Sequence, residues 1–474
     1  MMSNDPAGVL RGTLVEAAAA IVDGRVSSVQ LTAAALDRAR AEQTRLNCFI
    51  RIDAETALEQ AREADLALAA GQRIGLLHGI PLAHKDMYYE VGKVTNCASR
   101  VRQGFRPSTT ATVLTRINEA GAVNLGTLNM TEFALGPTGH NAVYGDCRNP
   151  WNVEHVPCGS SSGSGAVVAS RVAFGSLGSD TGGSIRLPAA ASGVVGLKPT
   201  YSRVSRAGCM GLAYSVDTPG PFARTARDCA RLFRVIAGHD PADVTSSRRE
   251  VPDYESATDR QIAGLRIGVP RNYFFDHVSG DVGRSLDSAL AVLSKAGAEL
   301  VSMTVPDPTH YTELSRALVY SEGTAIHGHW LRTRGADYSA QVRIRASTGL
   351  AIPAPAYIEA LHLRPLLLRD FVSAVFAQCD VLFTPTLSMP VPTLAETGVG
   401  SDPGMWDVIA KLVHCTAPFN YLGLPAVAVP VGFTANGLPA SMQLVGRPFA
   451  EARLLRVASS YQALTDWHER SPGS

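Results

Sequence analysis

Three stretches of this 474-residue chain carry side chains suited to nucleophilic chemistry: residues 158–165 (CGSSSGSG), 178–186 (GSDTGGSIR) and 79–86 (GIPLAHKD). In the second, two glycines stand just before Ser184. Successive backbone N–H groups can then turn into one concavity, a nest for an anion. A serine that attacked a carbonyl from this place would leave its oxyanion among those amides. The hydroxyl needs a base, being a poor nucleophile at neutral pH. None of the twelve histidines has a context that singles it out, and His84 and His155, near the motifs, suit structural or rim positions. Lys85, at the end of a short apolar run, is the other candidate. A free lysine titrates at about 10.4, and burial without a paired carboxylate lowers that by about 3 units or more. An ion pair with Asp86 is the competing reading of Lys85, and position alone leaves the two even.

The first stretch is less specific. Residues 159–163 (GSSSG) match the GxSxG nucleophile elbow, with Ser161 as nucleophile. The elbow needs a strand immediately before it, and His155-Val156-Pro157-Cys158 is a proline-broken loop. A phosphate-binding P-loop would need a following Gly-Lys-Ser/Thr, which is missing. A flexible Gly/Ser linker fits poorly beside the long apolar runs.

These stretches need a scaffold, and apolar periodicity supplies one. Residues 79–86 and 122–126 read as strands around a helix at 109–120. A helical turn at 129–135 leads to a Gly/Pro/Asn-rich loop at 136–157. Helices are expected at 29–40, capped by Ser27 or Ser28, at 54–70, capped by Asp53 and stopped by Gly71, and at 166–174. Beyond a helix at 224–238 and a polar link at 241–263, the alternation resumes. Strands fall at 265–269, 299–305, 380–384, 426–431 and 442–445. Helices fall at 281–295, 312–334, 356–376 and 451–464. The fold class is α/β: a single large domain over residues 1–474, with a mixed β-sheet core flanked by helices on both faces. Within it, residues 1–70 form a helical N-terminal segment, 75–240 the catalytic core, and 264–474 the rest of the sheet and the substrate-pocket helices.

Composition narrows the function classes. Hydrophobic residues make up 46% and charged residues 18%, enough for a large core and too little charge for disorder. A formal net charge of +1 argues against a surface that coats nucleic acid. No stretch approaches the roughly 18 apolar residues of a membrane span, and MMSNDPAGVLRG has no apolar h-region of a signal peptide. Eight cysteines without a CxxC pair suggest a reducing cytoplasm, with no disulfide framework or zinc site.

Taken together, the three motifs resemble the amidase signature family. The likeness continues through GVVGLKPT, residues 201–205 (YSRVS), FNYLGLPAVAVPVGF and GLPASMQLVG, and so spans nearly the whole chain. In that family a Ser-cisSer-Lys triad hydrolyses amides or esters through an acyl-enzyme, without metal or organic cofactor. By motif position the resemblance makes Ser184 the nucleophile, Ser160 the bridging serine and Lys85 the base. It implies an oxyanion hole from the amides of Thr181, Gly182, Gly183 and Ser184. Ser161, Asp180 and Arg186 would hold the loops. Two departures stand out: Cys158 and Ser162 where the family favours Gly, and His84 where an apolar residue is usual.

Within the family, NMTEFALG, RNPWNVEHVP and LKPTYSRVSRAG resemble the A subunit of the tRNA-dependent amidotransferase, which releases ammonia from glutamine. That subunit's amine-recognising acidic residue falls at Val413 here, and Arg345 is the match for its carboxylate-binding arginine, with a surface arginine as the equal alternative. The favoured expectation is therefore a stand-alone amidase acting on a small-molecule amide, an anilide or an ester, with no nucleic acid, no membrane, and a homodimer left open. The alternatives are a non-catalytic binding protein and the amidotransferase subunit. Met130, Tyr144, Cys209 and Trp330 are the expected acyl-pocket walls.

Overall fold

The computed structural model describes residues 5–73, 75–398 and 404–473. Eleven strands share one mixed sheet: β1 (Phe49–Ile52), β2 (Pro81–Lys85), β3 (Val123–Leu128), β4 (Gly175–Asp180), β5 (Val195–Lys198), β6 (Thr218–Ala223), β7 (Arg266–Pro270), β8 (Glu299–Met303), β9 (Val381–Pro385), β10 (Ala426–Phe433) and β11 (Pro439–Val445). Their order across the sheet is β1-β3-β2-β4-β6-β5-β10-β11-β9-β7-β8. β2 runs parallel to β3 and β4, and β7 runs parallel to β8 and β9. The strands between these two blocks pair antiparallel.

The N-terminal layer is α1 (Pro6–Arg11), α2 (Leu14–Val22), α3 (Ser28–Leu46) and α4 (Ala54–Ala69). Capping boxes start two of them. Thr13 and Glu16 close α2, and Ser27 and Gln30 close α3. Asp53 makes no capping bond, contrary to expectation. Its carboxylate is drawn instead to Arg51, 2.5 Å away.

The central helices are α5 (Thr112–Glu119), α6 (Ser162–Ala169), α7 (Arg186–Ser192) and α8 (Ala226–Ile236). α6 is buried on every side and built from small residues, SGSGAVVA. A Cβ on Gly163 would lie 2.5 Å from the Cys48 carbonyl oxygen. The glycines that look like linker composition are thus what lets α6 pack against its neighbours. The later helices include α9 (Tyr254–Ala257), α10 (Gly280–Lys295), α11 (Thr309–Arg334), α12 (Ala340–Ser347) and α13 (Ala354–Phe376).

Several elements escape the apolar pattern, among them β1, β4, β5, β6 and α7 near the serine loops and α1, α9 and α12 farther off. β4 (GSLGSD) is too small and polar to read as a buried strand. β6 (TPGPFA) holds two prolines, which usually demote a run from a central strand. Both prolines stand opposite β4, at Ser179 and Leu177, while β6 pairs β5 only through Phe222 and Ala223, so neither proline has to donate to β5.

Candidate active site

β2 and β4 are parallel neighbours, in register at Ala83–Ser176 and His84–Leu177, so their C-terminal ends lie side by side. β2 ends at Lys85. The chain leaves β4 into the 181–185 turn that carries Ser184. α6 starts immediately after the Ser160-Ser161 pair and leads back into β4. The topology thereby brings the three motifs to one edge.

There, Lys85 Nζ lies 2.7 Å from Ser160 Oγ and 2.9 Å from Ser179 Oγ. The Gly159–Ser160 peptide is cis. Lys85 is 1% exposed and Ser160 0%, whereas Ser184 keeps 9%, so only Ser184 offers a surface a substrate can reach. Burial pushes Lys85 down from 10.5 to about 7, against the opposing charges of Asp217 and Asp180. At pH 7 the amine is therefore poised between its charged and neutral forms. The alternative pairing with Asp86 is not what forms. Adjacent strand residues face opposite ways, and the Asp86 carboxylate accepts the Ala98 N–H at 2.9 Å. Ser179 lies within the 178–186 stretch, whose motif does not mark it as a partner of Lys85. Its hydroxyl belongs to the small-residue strand β4, and the alternation of that strand was the available signal.

The turn after β4 narrows the expected oxyanion hole. Gly183 donates its N–H to Asp180 Oδ1 at 2.7 Å, so this amide is not free to hold an oxyanion. The amides of Thr181, Gly182 and Ser184 make no hydrogen bond among the described residues. Gly183 itself is required, with φ +135° and a Cβ position 2.4 Å from Thr416 Oγ1. Asp180 organises the turn. Its carboxylate also accepts the Ile185 and Arg186 amides, and it faces the Arg186 guanidinium at 3.0 Å with both side chains fully buried. Burial would raise the Asp180 carboxyl, but the Arg186 charge and hydrogen bonds outweigh it and hold the group well below the usual carboxylate range. Arg186 also reaches Gln443, Asn420 and the Thr416 carbonyl, tying the turn to β11 and the 416–421 segment.

Ser161 Oγ meets the backbone N–H and C=O of Ser179, each at 3.3 Å. It joins the two serine loops, and no strand precedes it to make an elbow. Cys158 has φ +58°, which explains a preference for glycine there. Ser162 begins α6, where glycine is not needed. His84 is neutral: burial and the Lys93 charge push it to about 3, and its Nδ1 lies 3.3 Å from the Leu177 amide. His155 is half-buried, with Nδ1 2.9 Å from the Val391 carbonyl.

The expected pocket residues are placed unevenly. Met130 is fully buried in the 129–134 turn, whose Thr131 N–H donates to the Ser160 carbonyl. Phe133 of that turn, unforeseen, stacks on Trp330 at 5.8 Å and packs edge-on against His327 at 4.5 Å. The Tyr144 hydroxyl accepts from Asn96 at 2.6 Å, and Cys209 bridges to Tyr88 through backbone. Arg345 is buried on α12, with Tyr320 and Arg316 of α11 as electrostatic neighbours. Among the described residues no group of three or more His, Cys, Asp or Glu side chains is placed to share a metal ion.

A family model described as Amidase matches residues 30–455. The chain belongs to the amidase signature family. As a member it is an enzyme, a hydrolase of amide C–N bonds. Among its relatives, the A subunit of glutamyl-tRNA(Gln) amidotransferase from Roseiflexus sp. (strain RS-1) is 43% identical over 486 residues, spanning 97% of this chain and 98% of that protein. Among solved structures, native peptide amidase from Stenotrophomonas maltophilia is 31% identical, with TM-score 0.84 over 98% of both chains. A protein complex described as revealing the origins of an s-triazine catabolic enzyme gives TM-score 0.89 at 32% identity, covering 96% of this chain and 98% of its own.

These relatives correct one expectation for this amidase. Val413 at the place of an acidic residue, with a net charge of +1, pointed to a stand-alone amidase for a small-molecule amide with no nucleic acid, yet curated relatives are named as part of a glutamyl-tRNA(Gln) amidotransferase. A net charge of +1 excludes only a surface that itself coats nucleic acid. It says nothing of an assembly in which other subunits meet the tRNA. Among the described residues no helix is long and apolar enough to cross a membrane.

Proposed function

We propose that this amidase hydrolyses a primary carboxamide through Lys85, Ser160 and Ser184, and that the amide is glutamine, cleaved as the A subunit of a tRNA-dependent amidotransferase. The chemistry is carried by the 2.7 Å contact between a fully buried Lys85 Nζ and Ser160 Oγ. Neutral Lys85 takes the Ser160 proton while Ser160 takes that of Ser184. Ser184 Oγ attacks the amide carbon, and the oxyanion settles among the Thr181, Gly182 and Ser184 amides. The tetrahedral intermediate collapses, and the relay returns a proton to the departing nitrogen. Water then attacks the acyl-enzyme by the same route in reverse. Lys85 near 7 suits both directions of transfer.

The choice of glutamine is supported by the relatives, which match at 43% identity over 97% of the chain. A cytoplasmic setting goes with it, supported by eight cysteines that are all free thiols. One observation favours the second reading, a stand-alone amidase for substrates without an α-amino group. Val413, at the place of the acidic residue implied by the family resemblance, is half-buried beside the apolar cluster of Leu187, Leu412 and Leu438. It cannot pair with an ammonium.

Purified chain tested on glutamine, amino-acid amides, aliphatic amides and anilides, alone and with the other amidotransferase subunits, separates the two. Glutaminase activity that needs the partner subunits supports the first; turnover of varied amides by the chain alone supports the second. In either case Ser184→Ala should lower kcat/KM by about 10⁴-fold or more with folding retained. A fluorophosphonate serine probe should leave its adduct on Ser184. Near-normal turnover by the variant, or an adduct elsewhere, would remove Ser184 from the role.

A further inference from the structure

Beyond the end of α6 that lies farthest from Ser160, four arginines crowd one corner. Arg11 ends α1, Arg38 lies on α3, Arg171 follows the Ser170 cap of α6, and Arg224 follows β6. Arg11, Arg38 and Arg171, with Ala7, Leu10 and Ala34, line a cavity of about 110 Å³. Ala7 and Arg11 are exposed and Arg171 is 8% exposed, so the cavity leads from the surface to a buried guanidinium.

The bonds that fix these arginines go to carbonyls. Arg38 Nε donates to Ser170 O at 2.5 Å, and Arg171 donates to Arg11 O and, at 2.7 Å, to Glu469 O. Arg224 donates to Gly12 O and, at 3.2 Å, to Ala173 O. Carbonyls orient a guanidinium without cancelling its charge. The only ion pair of the group among the described residues is Arg38–Glu42 at 3.8 Å, and Glu42 lies closer to Arg45, at 2.7 Å. Glu16 is held in the α2 capping box, and Asp228 accepts the Val15 N–H. The Glu469 charge acts on Arg171 from beyond 4 Å. Arg11 makes no side-chain hydrogen bond or ion pair among the described residues. Burial and mutual repulsion lower both buried arginines: Arg171 through Arg38 and Arg11, and Arg224, to about 9, through Arg171 and Arg38.

Bonding to these carbonyls occupies one or two of the nitrogens on each of Arg38, Arg171 and Arg224. It accounts neither for Arg11 nor for the cavity. At roughly 30 Å³ per water, that volume holds a few waters or one tetrahedral oxyanion. We propose that this corner is an anion-binding site, separate from the serine loops, for a compact phosphate group, either free phosphate or the terminal group of a monoester. Guanidinium forks match phosphate oxygens in geometry and charge. Ala7, Leu10 and Ala34 give the organic part of an ester an apolar wall.

The test is calorimetric titration of the intact protein with inorganic phosphate and with glycerol phosphate, against chloride at equal ionic strength. Wild type should bind at least one of them saturably. Arg11→Gln, which breaks no internal bond, should weaken binding about tenfold, and Arg11→Gln with Arg38→Gln should abolish it. Preference for glycerol phosphate identifies a monoester site, and preference for inorganic phosphate a free-anion site. Absence of saturable binding up to about 20 mM, or binding that both variants retain, overturns the proposal. So does phosphate acting as a competitive inhibitor of amide hydrolysis in the double variant, which would put it on the oxyanion turn.

Discussion

Lys85 and Lys198 are fully buried lysines on strands of the same sheet, and burial brings both to about 7. They differ in what the amine meets. Lys85 touches the hydroxyls of Ser160 and Ser179, groups that donate or accept. Lys198 donates to the Pro199 carbonyl at 2.9 Å, which can only accept, and has the Arg186 charge close by. A proton on Lys85 has somewhere to come from and to return to. A proton on Lys198 does not. A depressed lysine is therefore not by itself a base; in the proposed relay, the serine partner's capacity to exchange a proton is what sets Lys85 apart from Lys198.

Substitution should separate the two lysines most widely in rate. Lys85→Met is expected to lower kcat/KM for amide hydrolysis by about 10³-fold or more, because the relay loses its acceptor. Lys198→Met should stay within about threefold of wild type, since Lys198 donates to the Pro199 carbonyl and not to Ser160 or Ser179, and what it removes is a charge near Asp180 and Arg186. Comparable losses in both would show that burial, and not the serine contact, is what matters at Lys85.

The pH dependence of acylation sharpens the same contrast. With Lys85 near 7, the rate should fall toward tenfold per unit below about pH 6.5. Lys198→Met should leave that acid limb in place. A limb that moves with Lys198, or a flat profile down to about pH 5, would break the assignment.

Stability is where the lysines should look alike. Each has a folded value near 7 and an unfolded value near 10.5. Above the unfolded value neither state holds the proton. Between the two values the unfolded chain takes it up and the folded chain does not. Stability therefore falls as pH drops from about 10.5 to about 7, and levels off below. Each lysine contributes a slope of up to about 1.4 kcal/mol per unit. Either Met variant should flatten the dependence of the urea midpoint over this window by a similar amount. Flattening by only one would show that the other lysine keeps its charge in the folded state.

Lys198 also marks how far the motifs carried. The α/β alternation and most apolar strands were legible, because burial on both faces leaves a continuous apolar run, as in β10 (AVAVPVGF). β4 and β6 were not, because small residues and prolines there serve close approach at the site rather than core volume. The proposed triad positions came from motif resemblance; what spacing could not supply was direction. The Gly183 amide donates to Asp180, and the Ser179 hydroxyl meets Lys85. Asp217 stood in no motif at all.

Asp217 carries the smallest and most specific effect. Its Oδ1 accepts the Thr181 hydroxyl at 2.6 Å, and its Oδ2 accepts the Leu212 and Ala213 amides at 2.7 and 2.9 Å. Burial raises its own carboxyl while these three bonds oppose the rise. After burial, Asp217 is the strongest influence on Lys85, and it favours the protonated amine. Asp217→Asn keeps the shape and an oxygen for both amides, and Thr181 can rotate to accept from the new NH₂. What disappears is the charge. Lys85 then loses its proton more readily, so the acid limb of acylation should move to lower pH by a fraction of a unit. The plateau should drop slightly because the base is weaker. The stability slope assigned to Lys198 should not change, since Asp217 is not among the charges that shift it. A limb that stays put would mean that the Asp217 charge does not reach Lys85 Nζ. A limb that moves upward would mean that the carboxylate's hydrogen bonds, rather than its charge, set the lysine.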